Sequence, residues 1–585
     1  MALADEEPMT SQLTSTSTSQ TAGETADAAD SRRTRLKRPG LIALASLTVV
    51  AAVAGAAPGA GAAPAATPGK PQLKLIAASN SVTLDRYKGE GVYLQLGTYL
   101  SVDNAPLEFE AKRKSYKDPI VVKQILRDGK KTKTKTLPAG LVKNFSGLSG
   151  FLEISIKNGA GEEVLKQGGT FCPNNASARI RPDAPATSHY PQSCSTNPWT
   201  LGSVWGVEKG WASNTTQFDY DESVDLPAGE YTAQVGVAKK YRDLFGIPDD
   251  RPTIKVTVRE QSGEGGVGLS AAKSSAHHGG HGGHAAQSAP AANHHYGPRG
   301  ADAPVPPALP QALVDRGTAN HLGDGPGHTD GSRIAPALKP AAKRPTGKAG
   351  APAGVPKPDL RSLPAWGIAI TDGEDGDAPG RDYLAFSANV WNAGPAPLVV
   401  DGFRKPGADL MDAYQYFYDA KGKQVGYAPT GTMEWDARNG HEHWHFTDFA
   451  SYRLLSEDQT KEVRSGKEAF CLANTDAIDY TVKNANWHPE NTDLSSACGY
   501  QDSISVREVL DVGSGDTYNQ YRPGQSFDIT DLPNGTYYIK VIANPENRLQ
   551  ETNHKNNIAL RKVVLGGTPG ARTVQVPPHD LIDAP

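Results

Sequence analysis

Short alternations of apolar and polar residues run through two stretches of the chain, from about Pro71 to Glu260 and from about Pro358 to Leu565. Both carry turns of one type, "LPAGEY" in the first and "LPNGTYY" in the second, the pattern of all-β sandwiches. Between them, from about Gln261 to Lys357, periodicity is lost. The sequence there reads "HHGGHGGHAAQSAPAANHHYGPRG" and continues through Pro/Ala-rich residues, which is linker composition. Near the start, the basic "SRRTRLKRPG" precedes an apolar run from Leu41 to Ala57 and then small-residue sites such as Ala60-Gly61-Ala62. That is the order of an export signal. "SRRTRLK" resembles the twin-arginine type, with Arg35 where an aromatic is usual. The run is short for a membrane span, which needs about 20 apolar residues. The mature chain is therefore expected to be exported, secreted or wall-associated, with no membrane attachment once the signal is removed.

These patterns predict an all-β protein: two β-sandwich-like modules joined by a long disordered His/Pro/Ala/Gly-rich linker. The expected boundaries are an export signal and spacer over 1–69, an N-terminal β-sandwich over 70–260, the linker over 261–357, a second β domain over 358–567 and a flexible tail over 568–585. The chain has 585 residues, with 61 Gly and 44 Pro and only 38% hydrophobic residues, which fits compact modules separated by unstructured sequence. A net charge of −4 offers no electrostatic case for a nucleic-acid partner.

The four cysteines, Cys172, Cys194, Cys471 and Cys498, suggest one staple per module: none lies in CxxC spacing, and an exported chain favours disulfides. The modules also look like distant duplicates. "GTFCPN" matches "EAFCLA", and "DLPAGEYTAQVGV" (Asp225 to Val237) matches "DLPNGTYYIKVIA" (Asp531 to Ala543).

One alternation belongs to the second module alone. In "HEHWHF", His441, His443 and His445 share one face of a strand, while Trp444 and Phe446 take the other. The three imidazoles span roughly 13 Å of strand, so the strand must bend for all three to reach one ion. Copper, zinc and non-haem iron all suit such donors.

From Glu434 to Asn557 the chain resembles the catalytic domain of lysyl oxidases, here as an exported bacterial member. "HEHWHFTDF", "GKEAFCL", "GDTYNQYRPGQSFDITDLPNGTYYIKVIANP" and "NRLQETNHKNN" appear in the family's order. The resemblance implies copper held by His441, His443 and His445. It also implies a lysine tyrosylquinone made by joining Lys467 to Tyr518, with Tyr521 nearby as a possible confusion. Such an enzyme oxidatively deaminates primary amines, peptidyl lysine included, to aldehydes, consuming dioxygen and releasing ammonia and hydrogen peroxide.

Asp528 and Asp531, in "FDITDLP", are candidate bases, although aspartates beside a turn usually bond backbone N–H groups. The first module offers no counterpart of Lys467, because Gly168 stands there, and the counterpart of Tyr518 is expected near Trp211 or Ala212. It is expected to be non-catalytic. The linker histidines His277, His278, His281, His284, His294 and His295 are candidates for gathering copper. Two other classes compete: a non-catalytic extracellular copper- or cell-wall-binding protein on the same fold, and a zinc or iron enzyme using the same histidines.

Overall fold

The computed structural model describes residues 69–87, 91–174, 177–216, 223–261, 350–373, 377–404, 408–437, 442–487, 496–522 and 524–580, without the side chains of 448 and 465–468. His441, the six linker histidines and the export-signal residues lie outside this description.

The described residues are almost wholly β, as the alternation predicts, with one short helix, Lys239–Phe245. Period-two burial shows the cause: Thr253–Gln261 buries Ile254, Val256 and Val258, while Lys255 between them is exposed and Thr257 half-buried on the other face. In the N-terminal half, Leu148–Asn158 pairs antiparallel with both Glu163–Phe171 and Gly229–Val237, and the latter continues to Thr253–Gln261. A second sheet runs from Gly202–Val207 through Leu107–Lys112 and Val121–Asp128 to Lys131–Thr136. Phe109, Phe151, Trp205 and Tyr241 are buried in the core of this half.

The C-terminal half is built around Tyr383–Asn392, buried at all ten positions and paired with Ser514–Tyr518. Facing it is a long sheet in which Gln424–Asp436, His443–Leu455, Gly535–Ala543 and Ile558–Thr568 are neighbours. Both expected disulfides form: Cys172–Cys194 in the first half and Cys471–Cys498 in the second.

The halves meet through backbone as well as side chains. Leu201 N–H donates to Ile478 O at 2.7 Å, and Tyr480 N–H donates to Gly202 O at 2.9 Å. A side chain at Gly202 would overlap Asp479 and Thr481, so glycine lets the two backbones touch. Trp199, fully buried, packs with Leu363, Trp366, Trp391 and Ile478 of the other half.

Candidate functional site

The strand His443–Leu455 supplies the site's first two side chains. It begins just after Glu442, whose φ of 26° is a conformation that residues other than glycine rarely adopt. Cross-strand register sets His443 opposite Asp436, Trp444 opposite Trp435 and Phe446 opposite Met433. Trp444 and Phe446 are fully buried, as the alternation predicts. Trp444 is also pinned by polar contacts. Its N–H donates to Cys498 O at 3.0 Å and its indole Nε1 to Tyr500 O at 2.8 Å, so the disulfide loop holds the strand in place.

On the opposite face, the rings of His443 and His445 lie 4.6 Å apart. His443 is half-buried, whereas His445 is fully buried with its Nδ1 3.5 Å from Asp436 Oδ2. A carboxylate in that position orients an imidazole and raises its basicity, the usual outer partner of a metal-ligating histidine. Among the described residues no group of three or more His, Cys, Asp or Glu is arranged to hold a metal ion. The donor chemistry of the two adjacent imidazoles nevertheless fits a borderline metal such as copper.

Tyr518 enters from the facing sheet, at the end of Ser514–Tyr518 and opposite Ala388. Its ring centroid lies 6.5 Å from that of His445 and 4.2 Å from that of Phe470. Phe470 ends the strand that carries Lys467, and the backbone of Lys467 pairs with Ser451 of the histidine strand. The structure thus brings His443, His445 and Tyr518 together, with the Lys467 strand beside them. Tyr521 is 38% exposed, its hydroxyl accepting from Asn519 at 3.1 Å, outside this buried cluster.

The two candidate bases are placed elsewhere. Asp528 pairs with Tyr383, five residues from the Ala388 opposite Tyr518, which is roughly 16 Å of strand. Burial pushes its carboxyl up, but the Thr530 N–H and hydroxyl and the Arg381 guanidinium outweigh this and hold it below its ordinary value. Asp531 is exposed and ion-paired with Arg464. A base needs access to the reacting carbon and a carboxylate not already committed to an arginine. Both aspartates are paired with an arginine, Asp528 with Arg381 and Asp531 with Arg464.

Two buried acids were missed in the sequence. Asp516 is 1% exposed and stands two residues from Tyr518, on the same face of its strand. Glu508 is fully buried; burial drives its carboxyl well up, against hydrogen bonds from the backbone N–H groups of Leu472 and Phe446. "GDTY" places Asp516 in period with Tyr518, a legible signal. Glu508 gives none, because its neighbours come from distant strands. The position matching Tyr518 in the first half is also corrected. Thr215 N–H donates to Thr98 O as the next rung of the ladder that pairs Trp211–Asn214 with Thr98–Asp103, so the matching residue is Thr215 rather than Trp211 or Ala212.

The lysyl oxidase family model matches residues 419–569. A protein-lysine 6-oxidase of Sus scrofa is 32% identical over 135 residues, covering 23% of this chain and 48% of that protein. Lysyl oxidase homolog 2 of Xenopus tropicalis is 30% identical over 137 residues, 23% of this chain and 16% of its own length. The human lysyl oxidase homolog 2 is 29% identical over 129 residues, 22% of this chain and 15% of its own. The chain spans less than half the length of each of these relatives.

Proposed function

Because the chain belongs to the lysyl oxidase family through residues 419–569, we propose that it is an exported copper- and quinone-dependent amine oxidase. Its substrates would be primary amines, peptidyl lysine among them, converted to aldehydes with release of ammonia and hydrogen peroxide. The observation that carries this reading is the placement of Tyr518 between His445, at 6.5 Å, and Phe470, at 4.2 Å.

His443 and His445, together with His441, would hold copper. Lys467 and Tyr518 would form lysine tyrosylquinone. Lys467 lies on the same strand as Phe470, three residues before it, which is roughly 10 Å of strand. When bound, copper and the quinone supply an electrophilic carbonyl for a primary amine and a route for its electrons to dioxygen. The chain's own residues hold and shield that chemistry. Asp436 orients His445, Phe470 covers one side of Tyr518, and Trp444 anchors the strand from behind.

The N-terminal half would be a non-catalytic duplicate, and the chain would work outside the cell after removal of its signal. Among the described residues no helix is long and apolar enough to cross a membrane.

The test uses the full chain loaded with copper. It should show a quinone absorption band, a coloured phenylhydrazine adduct and amine-dependent peroxide. Tyr518→Phe should lose all three. Lys467→Arg should keep its copper and make no peroxide, since a guanidinium stays protonated and is a poor nucleophile toward a quinone ring. Peroxide at the parent's rate from Lys467→Arg would overturn the reading, and full copper binding by His443→Ala would overturn the metal assignment.

A further inference from the structure

Strand Lys131–Thr136 reads KTKTKT and is exposed at all six positions. It ends its sheet, pairing on one side with Val121–Asp128. The matching strand of the other half, Gln424–Asp436, is not an edge, because it pairs onward with His443–Leu455. Alternation sets Lys131, Lys133 and Lys135 on one face, about 7 Å apart in a straight row. Across the ladder they stand opposite Asp128, Leu126 and Gln124, so one acid faces the row. Lys135 Nζ reaches Leu244 O at 3.4 Å, which fixes this end of the row beside the helix.

The local charge is large. From Val121 to Lys143 there are seven lysines and arginines against Asp128, in a chain whose net charge is −4. Two of the seven are engaged on the other face: Arg127 with Glu108, and Lys123 with Glu110 at 4.0 Å.

We propose that this row binds a linear, base-free polyanion carrying one phosphodiester per repeat, of the poly(glycerol phosphate) kind, and so anchors the chain on it. An extended polymer of that kind presents its charges at regular intervals along a line, which complements amines repeated every second residue of a strand. Nucleic acid fits less well. Single-strand binders add aromatic rings on which bases stack, and residues 121–136 contain none. Lysines on an edge strand also discourage sheet-to-sheet aggregation. That role predicts no ligand, which separates it from this one.

Binding of poly(glycerol phosphate) of defined length to the full chain is measured across a salt series, with single-stranded DNA of equal charge in parallel. The parent should bind the glycerol phosphate polymer more tightly than the DNA. The triple variant Lys131→Gln, Lys133→Gln, Lys135→Gln should bind at least tenfold more weakly at low salt. Its slope of log affinity against log salt should fall by about 2, since each neutralised phosphate of a single strand contributes about 0.7. Lys133→Gln alone should lower the slope by about 0.7, which keeps the test available should the triple variant misfold. Unchanged affinity and slope in the variants, or equal or tighter binding of DNA by the parent, would overturn the proposal. No amine oxidation is needed for this readout, so it stands or falls apart from the enzymatic reading.

Discussion

Around one hairpin the two halves pair their strands in the same order and differ in what a few rungs carry, although Lys131–Thr136 ends its sheet where Gln424–Asp436 pairs onward. Leu148–Asn158 lies between Glu163–Phe171 and Gly229–Val237 as His443–Leu455 lies between Glu462–Phe470 and Gly535–Ala543. Even the irregularity is shared. The first hairpin steps from Leu148 opposite Phe171 to Leu152 opposite Gly169, and the second from Phe446 opposite Phe470 to Ala450 opposite Glu468. On that register Gly168 stands where Lys467 does, and Gly147 stands where His445 does. Gly147 has φ of 134°, and a side chain there would overlap Phe171 O. The first half could not accept an imidazole at that rung without moving its backbone. Apolar alternation and a disulfide suffice to build this plan twice, while the chemistry hangs on a handful of positions that can be emptied without losing it.

The largest effect is expected where the halves touch. Trp199 of the first half is fully buried among Leu363, Trp366, Trp391 and Ile478 of the second. Trp199→Ala removes that packing and leaves a cavity, at a cost of about 3–5 kcal/mol. Calorimetry of the parent should give one transition covering both halves, and the variant should show a lowered and divided one. A single unshifted transition would mean that the halves do not depend on this contact.

Next come the two staples. Each closes a loop of comparable length, 22 and 27 residues, so removing either pair as Cys→Ser should cost about 3 kcal/mol in the chain-entropy model. The consequences should separate. Loss of Cys172–Cys194 should lower the unfolding temperature and spare amine oxidation. Loss of Cys471–Cys498 should abolish oxidation as well, because Cys498 O receives the Trp444 N–H that fixes the histidine strand. Equal activity in both variants would show that the second staple does not position the site.

How much of this could be read beforehand follows from the range of the interactions. The β class, the cysteine pairs and the burial of Trp444 and Phe446 depend on alternation and local spacing, and the sequence displays both. The grouping of His445 with Tyr518 became legible through resemblance, since 73 residues separate them and no local pattern links two facing sheets. The pairing of Asp528 with an arginine was hidden for the same reason. Its partner Arg381 comes from a strand connection 147 residues earlier. The docking of the halves was invisible because it uses Gly202 and Trp199, ordinary residues until Asp479 and Ile478 are set against them.

The smallest effect tests the turn that both halves share. In the first half it carries Glu208, which accepts from His189 N–H at 3.1 Å; in the second it carries Asp511. Asp511 is 2% exposed, and burial pushes its carboxyl up to about 6, against hydrogen bonds from Val512 N–H and the Asn486 amide. In the unfolded chain the same group titrates near 3.8. The folded state therefore holds this proton more tightly than the unfolded state. Its contribution to stability is complete below about pH 4 and is lost as pH rises through about 6. At 1.36 kcal/mol per unit, the loss is bounded at about 3 kcal/mol. Asp511→Asn keeps a side chain of the same shape that can accept from Val512, and removes the titration. Urea unfolding from pH 4 to pH 7 should show the parent losing stability relative to the variant as pH rises, with the change centred between pH 4 and 6. A flat difference across that range, or a parent that gains on the variant, would mean that Asp511 is charged throughout and that its turn is wetter than its burial implies.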